Sequence, residues 1–236
     1  MLWYRFLKME RCIFFILFVA GGTFIQAQSD DKRNYYTELT VNNFRDDRSF
    51  NQPVDFENPD YSRLNAAVFF ATNEQRLKNK LKVLTWSPNL EEMAAMHSED
   101  MKEQGFFNHI NPKNRKKKTP EDRARLTGIS NPFIAENIAT TFGLNYEQNK
   151  KVVVKGPGKF SYPGSNDLIL PRTYLEVADA LVKAWMQSPA HRINILSANA
   201  VQLGCGTSMY LDNDFNRMPT FMATQDFQEY EYIKIH

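Results

Sequence analysis

The sequence predicts an α+β domain in which a helical layer packs on a small antiparallel sheet. Two observations carry this. From about Tyr61 onward apolar residues recur at steps of three and four, in stretches marked by cap residues of their own. After Asn199 the period changes to two across Val201, Leu203, Cys205, Met209 and Leu211, the pattern of a strand.

The first segment carries Arg5, Lys8 and Arg11, an apolar run from Cys12 to Ile25 interrupted by Gly21-Gly22, and the small-residue end Ile25-Gln26-Ala27. A cleavable secretory signal peptide has this order, and the run is shorter than the roughly 20 residues that span a bilayer. Residues 1–27 are therefore expected to be a signal peptide cut after Ala27, with an uncleaved anchor as the competing reading. The mature protein is expected to be secreted or periplasmic, with no transmembrane segment.

Residues 28–60 are polar and show neither helical nor strand period, which predicts an N-terminal arm. Its aromatics Tyr35, Tyr36, Phe44, Phe50 and Phe56 are expected to rest in part on the domain surface. The domain itself is expected over residues 61–230, with a C-terminal tail at 231–236.

Leu64, Ala67, Val68 and Ala71, with Phe70, Leu77 and Leu81, predict a first helix in a stretch without Gly or Pro. A second is expected from Ser87 as N-cap and Pro88 at the first helical position, with Leu90, Met93, Ala94, His97 and Met101 on one face and a stop at Gly105. Thr119-Pro120-Glu121-Asp122 opens a short third helix that ends near Gly128. Thr173 and Glu176 form a capping box, and the helix they open is expected to bury Val177, Leu181, Ala184 and Trp185. The turn Asp212 to Asn216 should return the last strand, Thr220 to Phe227, antiparallel to its predecessor.

Between Thr140 and Arg172 lies an insertion in which Lys150 to Lys155 alternates as a strand, Gly156-Pro157-Gly158 turns, and Lys159 to Tyr162 returns. A surface insertion and a lid over a site are both readings of this stretch.

Loss of residues 1–27 removes three of the 29 basic and one of the 27 acidic residues, so the remainder is formally neutral. A bulk attraction to nucleic acid is not expected. Of the two cysteines, Cys12 leaves with the signal peptide, so no intramolecular disulfide can form and burial must hold the domain together. Cys205, within an apolar alternation, is expected to be buried and inert.

Chemistry concentrates on a few side chains. His109 sits in the loop Gly105-Phe106-Phe107-Asn108-His109-Ile110-Asn111-Pro112, entered from a helix end. His191 follows Ser188 and Pro189, which open a short helix, so the imidazole lies in its first turn, where the helix dipole keeps it neutral. Glu136, in Ala135-Glu136-Asn137-Ile138-Ala139, is a partly buried carboxylate that must have a partner. His97 lies on an apolar helix face, where a histidine bonded to a core carbonyl is expected. Lys113, Arg115, Lys116, Lys117 and Lys118 follow His109 closely and read either as a solvated loop or as a lure for anionic groups.

Taken in order, the motifs form a larger pattern. Asn73-Glu74-Gln75-Arg76, Leu84-Thr85-Trp86-Ser87-Pro88-Asn89-Leu90, Phe107-Asn108-His109, Asp122-Arg123-Ala124, Ala135 to Ala139, Trp185 to Leu196 and Leu203-Gly204-Cys205-Gly206 resemble the motif set of the bacterial SCP-like branch of the CAP superfamily. That superfamily groups cysteine-rich secretory, antigen 5 and pathogenesis-related proteins, and the likeness runs from about Tyr61 to Phe227. It implies an α-β-α sandwich whose sheet lies between helical layers, with a cleft lined by two histidines and acidic residues. His109, Glu136 and His191 match the family's first histidine, first glutamate and second histidine. The family's second glutamate is replaced by Ser188, and the family disulfides are missing.

The resemblance implies a non-catalytic extracellular binding protein whose cleft, at His109, Glu136, Ser188 and His191, takes a small lipid-like or glycan ligand, with Zn or another divalent metal held by His109 and His191. The alternative is a metal-dependent hydrolase in which Glu136 and the histidines, as the catalytic candidates, activate water. A Cys205 or Ser188 nucleophile ranks last.

Overall fold

The computed structural model describes residues 34–147 and 149–230, so the expected signal peptide and C-terminal tail lie outside the described residues. The helices are α1 (Tyr35–Glu38), α2 (Tyr61–Lys78), α3 (Pro88–Gln104), α4 (Pro120–Leu126), α5 (Tyr174–Gln187) and α6 (Pro189–Ile195). The strands are β1 (Thr85–Trp86), β2 (Ile134–Phe142), β3 (Val153–Gly156), β4 (Lys159–Ser161), β5 (Gln202–Asp212) and β6 (Met218–Gln228).

The capping residues act as their positions dictate. Ser87 accepts from the Leu90 amide and Gly105 closes α3 in the left-handed region at φ 64°. Thr119 with Asp122 and Thr173 with Glu176 form complete capping boxes. Two helical details differ from expectation. Helix α2 ends at Lys78, before Leu81, and Ala184 is exposed on α5. Ser188 holds the N-cap position of α6, but its side chain makes no capping hydrogen bond.

The sheet has four strands in the order β1-β5-β6-β2. The expected antiparallel pair β5 and β6 forms its centre, from Gln202 opposite Gln228 to Asp212 opposite Met218. β2 joins antiparallel to β6, and the short β1 pairs parallel with β5. Neither edge strand is legible by period, because β1 is only two residues long and β2 places Glu136 and Asn137 where a plain alternation would place apolar residues.

Both faces of the sheet are covered, which makes the α-β-α sandwich. On one face Leu203, Cys205, Phe221, Ala223 and Phe227 join the core formed with α2 and α5. On the other, Ile138 and Met222 pack with Met101 of α3. Gly204 and Gly206 let α3 approach so closely that a Cβ on Gly204 would stand 2.1 Å from the Glu91 amide nitrogen. Cys205 is fully buried, and burial pushes its thiol well above the ordinary range.

Residues 34–60 correct the expected arm. Tyr35, Phe44, Phe50 and Val54 are core residues, at most 4% exposed, and Phe44 stacks on Phe70 of α2. Arg45 clamps this segment with hydrogen bonds to Glu74 at 2.6 Å and Asp179 at 2.9 Å. The segment reaches the core through a four-residue helix, a 3-10 turn at Phe44–Asp46 and bends, so its buried aromatics fall at irregular intervals.

The insertion also departs from its expected limits, since residues 140–142 complete β2. The remainder folds as the β3–β4 hairpin, close to the expected strands, over a satellite core of Leu144, Phe160, Ile169 and Met218.

Candidate functional site

Glu136 anchors the site from β2, where the alternation of the strand turns it to the face that carries Ile138 and α3. Its side chain is only 3% exposed, and both carboxylate oxygens accept hydrogen bonds. His109 Nδ1 donates to Oε1 at 2.8 Å and Arg123 Nη2 donates to Oε2 at 2.5 Å. Burial alone would raise this carboxyl, but the His109 hydrogen bond and the Arg123 charge outweigh it and hold the group below the usual carboxylate range.

Arg123 is fully buried on α4, and it does more than balance Glu136. It donates to the backbone carbonyls of Lys117 and His109, both at 3.1 Å, and so staples the His109 loop to the domain. Asn111 adds a second anchor, donating to Asp100 at 3.1 Å and accepting from the amides of Lys113 and Asn114. The same anchoring ties down part of the basic run, since Lys117 reaches Asp100 at 3.0 Å.

His97 supports the loop from α3, with Nε2 3.0 Å from the Asn108 carbonyl and 3.7 Å from Glu136 Oε1. Burial lowers its pKa to about 4, so the ring is neutral and Nε2–H is the donor. The bond goes to the carbonyl of an exposed loop residue and not to the expected core carbonyl, and its effect is to fix the chain beside His109.

His109 itself is 47% exposed at the side chain. A carboxylate can only accept, so its Nδ1 carries the proton toward Glu136, which leaves Nε2 as the ring nitrogen available to a ligand. His191 stands half-buried in the first turn of α6. Its pKa is lowered by burial first, with the nearby His109 charge adding to the effect. Asn137, next to Glu136, ties α6 to the sheet by donating to the His191 carbonyl at 3.1 Å, and it accepts from Asn194 at 2.8 Å. Ser188 sits at the α5–α6 junction, where its carbonyl accepts from the Arg192 amide.

Arg123 and Asp226 are the residues that sequence reasoning passed over. Arg123 stood in a quoted motif without a role, and nothing local marks a helical arginine as buried. Asp226 had a signal, an acidic residue inside the expected last strand, Thr220 to Phe227. Among the described residues no group of three or more His, Cys, Asp and Glu could hold a metal ion. A divalent ion held by His109 and His191 would have to complete its coordination with solvent or ligand atoms.

Comparison with known proteins bears on this arrangement. The family model described as "Cysteine-rich secretory protein family" (CAP) matches residues 69–227. Two Bacillus subtilis proteins are similar over 135 residues, which is 57% of this chain: uncharacterized protein YkwD at 27% identity and uncharacterized membrane protein YlbC at 30%. The matched stretch spans only 38% and 29% of those two proteins. An extracellular protein with an SCP domain from Bacillus anthracis aligns with a TM-score of 0.47 at 20% identity, covering 71% of this chain and 41% of that one. An outer surface protein of Borrelia burgdorferi aligns with a TM-score of 0.46 at 15% identity, covering 75% of this chain and 98% of that one.

Proposed function

The chain belongs to the CAP family of cysteine-rich secretory proteins, and from that membership and the chemistry of the cleft we propose that it is a secreted, non-catalytic binding protein. Its cleft takes a small lipid-like or glycan ligand through a divalent metal ion, Zn²⁺ being the natural choice for imidazole donors. His109 and His191 hold the ion.

The observation that carries this reading is the 2.8 Å hydrogen bond from His109 Nδ1 to Glu136. Metal-binding histidines commonly donate their second nitrogen to a carboxylate, which fixes the tautomer and raises the basicity of the free nitrogen. Glu136 has Arg123 behind it and is held in place for that task. The lowered pKa of His191 keeps its lone pair free at neutral pH. Both Glu136 oxygens are engaged, which supports orientation of a ligand over activation of water. Secretion rests on the signal-like character of residues 1–27; among the described residues no helix is long and apolar enough to cross a membrane.

Zinc titration of the purified protein by calorimetry tests the proposal. One site is expected, with affinity that falls in acid as protons compete with the metal for the donor nitrogens. His109→Ala and His191→Ala should each abolish binding; His191→Ala should leave the thermal midpoint of the metal-free protein nearly unchanged, whereas His109→Ala should lower it because buried Glu136 loses a hydrogen-bond donor. Binding like the parent's in both variants would overturn it.

A further inference from the structure

Directly across the sheet from Glu136 stands Asp226 of β6, paired with it in register. In-register neighbours on antiparallel strands point to the same face with Cβ atoms about 4.5–5.5 Å apart, so the two carboxyls are adjacent beneath the cleft. Asp226 is fully buried, and neither of its oxygens has a hydrogen-bond donor among the described residues. Its other in-register neighbour, on β5, is Gly204, which offers no side chain.

The charged and titratable groups around this point come from each packed element. β2 supplies Glu136, α4 supplies Arg123, α3 supplies His97 and β5 supplies the Cys205 thiol, while half-exposed His109 bonds Glu136 from the loop after α3. Of the buried groups only Arg123 is positive, since His97 is neutral. Two ionised carboxylates in the interior against one guanidinium would leave a buried charge without compensation. Two facing carboxylates also cannot bond to one another, because each only accepts. Both difficulties disappear when one of the pair keeps its proton. Glu136 already accepts from His109 and Arg123, so it is the anion.

We infer that Asp226 is a neutral carboxylic acid in the folded protein and donates its proton in a hydrogen bond to Glu136, acting as a positioning residue under the cleft. Burial, and then the charge of Glu136, push Asp226 well above the usual carboxylate range, in agreement with the geometry. The site thereby recovers a second carboxyl from below, although Ser188 occupies the position where a second glutamate would stand. The inference does not depend on metal binding and holds for the metal-free protein.

The raised pKa has a definite sign. Folded protein retains a proton that the unfolded chain releases near pH 3.9, so this group makes stability fall as pH rises above that value. Asp226→Asn keeps the shape and an N–H donor and has no proton to lose. Its thermal midpoint at pH 7 should equal or exceed the parent's, with any advantage vanishing toward pH 3. An ionised Asp226 paired with Arg123 predicts the reverse, a midpoint at pH 7 below the parent's with the gap closing in acid, and that result would overturn the inference. Infrared difference spectra between parent and Asp226→Asn supply a second measurement. The parent at pH 7 should show the carbonyl stretch of one protonated carboxyl that the variant lacks. A difference spectrum carrying only carboxylate bands would overturn the inference even if the variant proved unstable.

Discussion

Gly206 lies so close to α3 that a Cβ added to it would stand 1.9 Å from the backbone nitrogen of Ala95. The same helix is held by Ser98, whose hydroxyl donates to the Gly206 carbonyl at 2.9 Å. Backbone cannot yield as a flexible side chain would, so strand and helix must separate to admit even a methyl group. That separation would disturb His97 on α3 and, through it, the Asn108 carbonyl beside His109.

Gly206→Ala is therefore expected to be among the most damaging single methyl additions in the domain. Overpacking of a tight core contact costs about 1–3 kcal/mol and more when backbone is struck. Urea unfolding should place the loss at or beyond the upper end of that range, or the variant should fail to fold. A loss within about 0.5 kcal/mol, the range of an ordinary surface change, would mean that the close packing is not maintained in solution.

Arg123→Met removes the cation and leaves Glu136 buried without its guanidinium partner. Breaking a buried ion pair from one side costs about 3–5 kcal/mol, and the backbone carbonyls of His109 and Lys117 lose their donor as well. Denaturant unfolding should show a loss of that size. Amide exchange should accelerate over residues 109–118 in particular. Arg123→Lys should recover only part of the loss, because an ammonium cannot reproduce the planar fork. Unchanged exchange in that loop would argue against its being stapled from below.

Glu74 gives a pH dependence of its own. The hydrogen bond from Arg45 is the main cause that lowers its pKa to about 2, with Lys78 assisting against the opposing effect of burial. A depressed folded pKa stabilises the protein above the unfolded value near 4.5, and the contribution is lost as pH falls through about 2. Thermal midpoints measured between those two values should drop less for Glu74→Gln than for the parent. Equal slopes would show that the Arg45 clamp on the N-terminal segment contributes nothing.

Cys205 offers a test of core integrity. A thiol with no exposure and a raised pKa presents little thiolate to a reagent. Labelling in native buffer should be slow and should become complete on unfolding. Rapid native labelling would place β5 at a surface and contradict the three-layer packing.

Much of the helical layer could be read directly from residues. Ser87-Pro88 through Gly105, Thr119-Pro120 and Thr173 with Glu176 carry their capping chemistry within a few positions, and that chemistry is local. The β5–β6 pair was legible from its period of two, which is equally local; His109, Glu136 and His191 were nominated through the motif pattern, and of these His109 and Glu136 are joined by a hydrogen bond. The N-terminal segment was not, because Phe44 and Phe50 enter the core through turns that impose no period.

Local sequence thus suffices for the capped helices α3, α4 and α5, for the central hairpin and for the family pattern. What surrounds Glu136 is set by tertiary packing. Arg123 lies 13 residues from Glu136 in the chain and Asp226 lies 90, yet one donates to Glu136 at 2.5 Å and the other faces it across the sheet. Such contacts depend on strand register and on how close a helix can come to two glycines. Those quantities are set by packing across the whole domain, and no short window of residues encodes them.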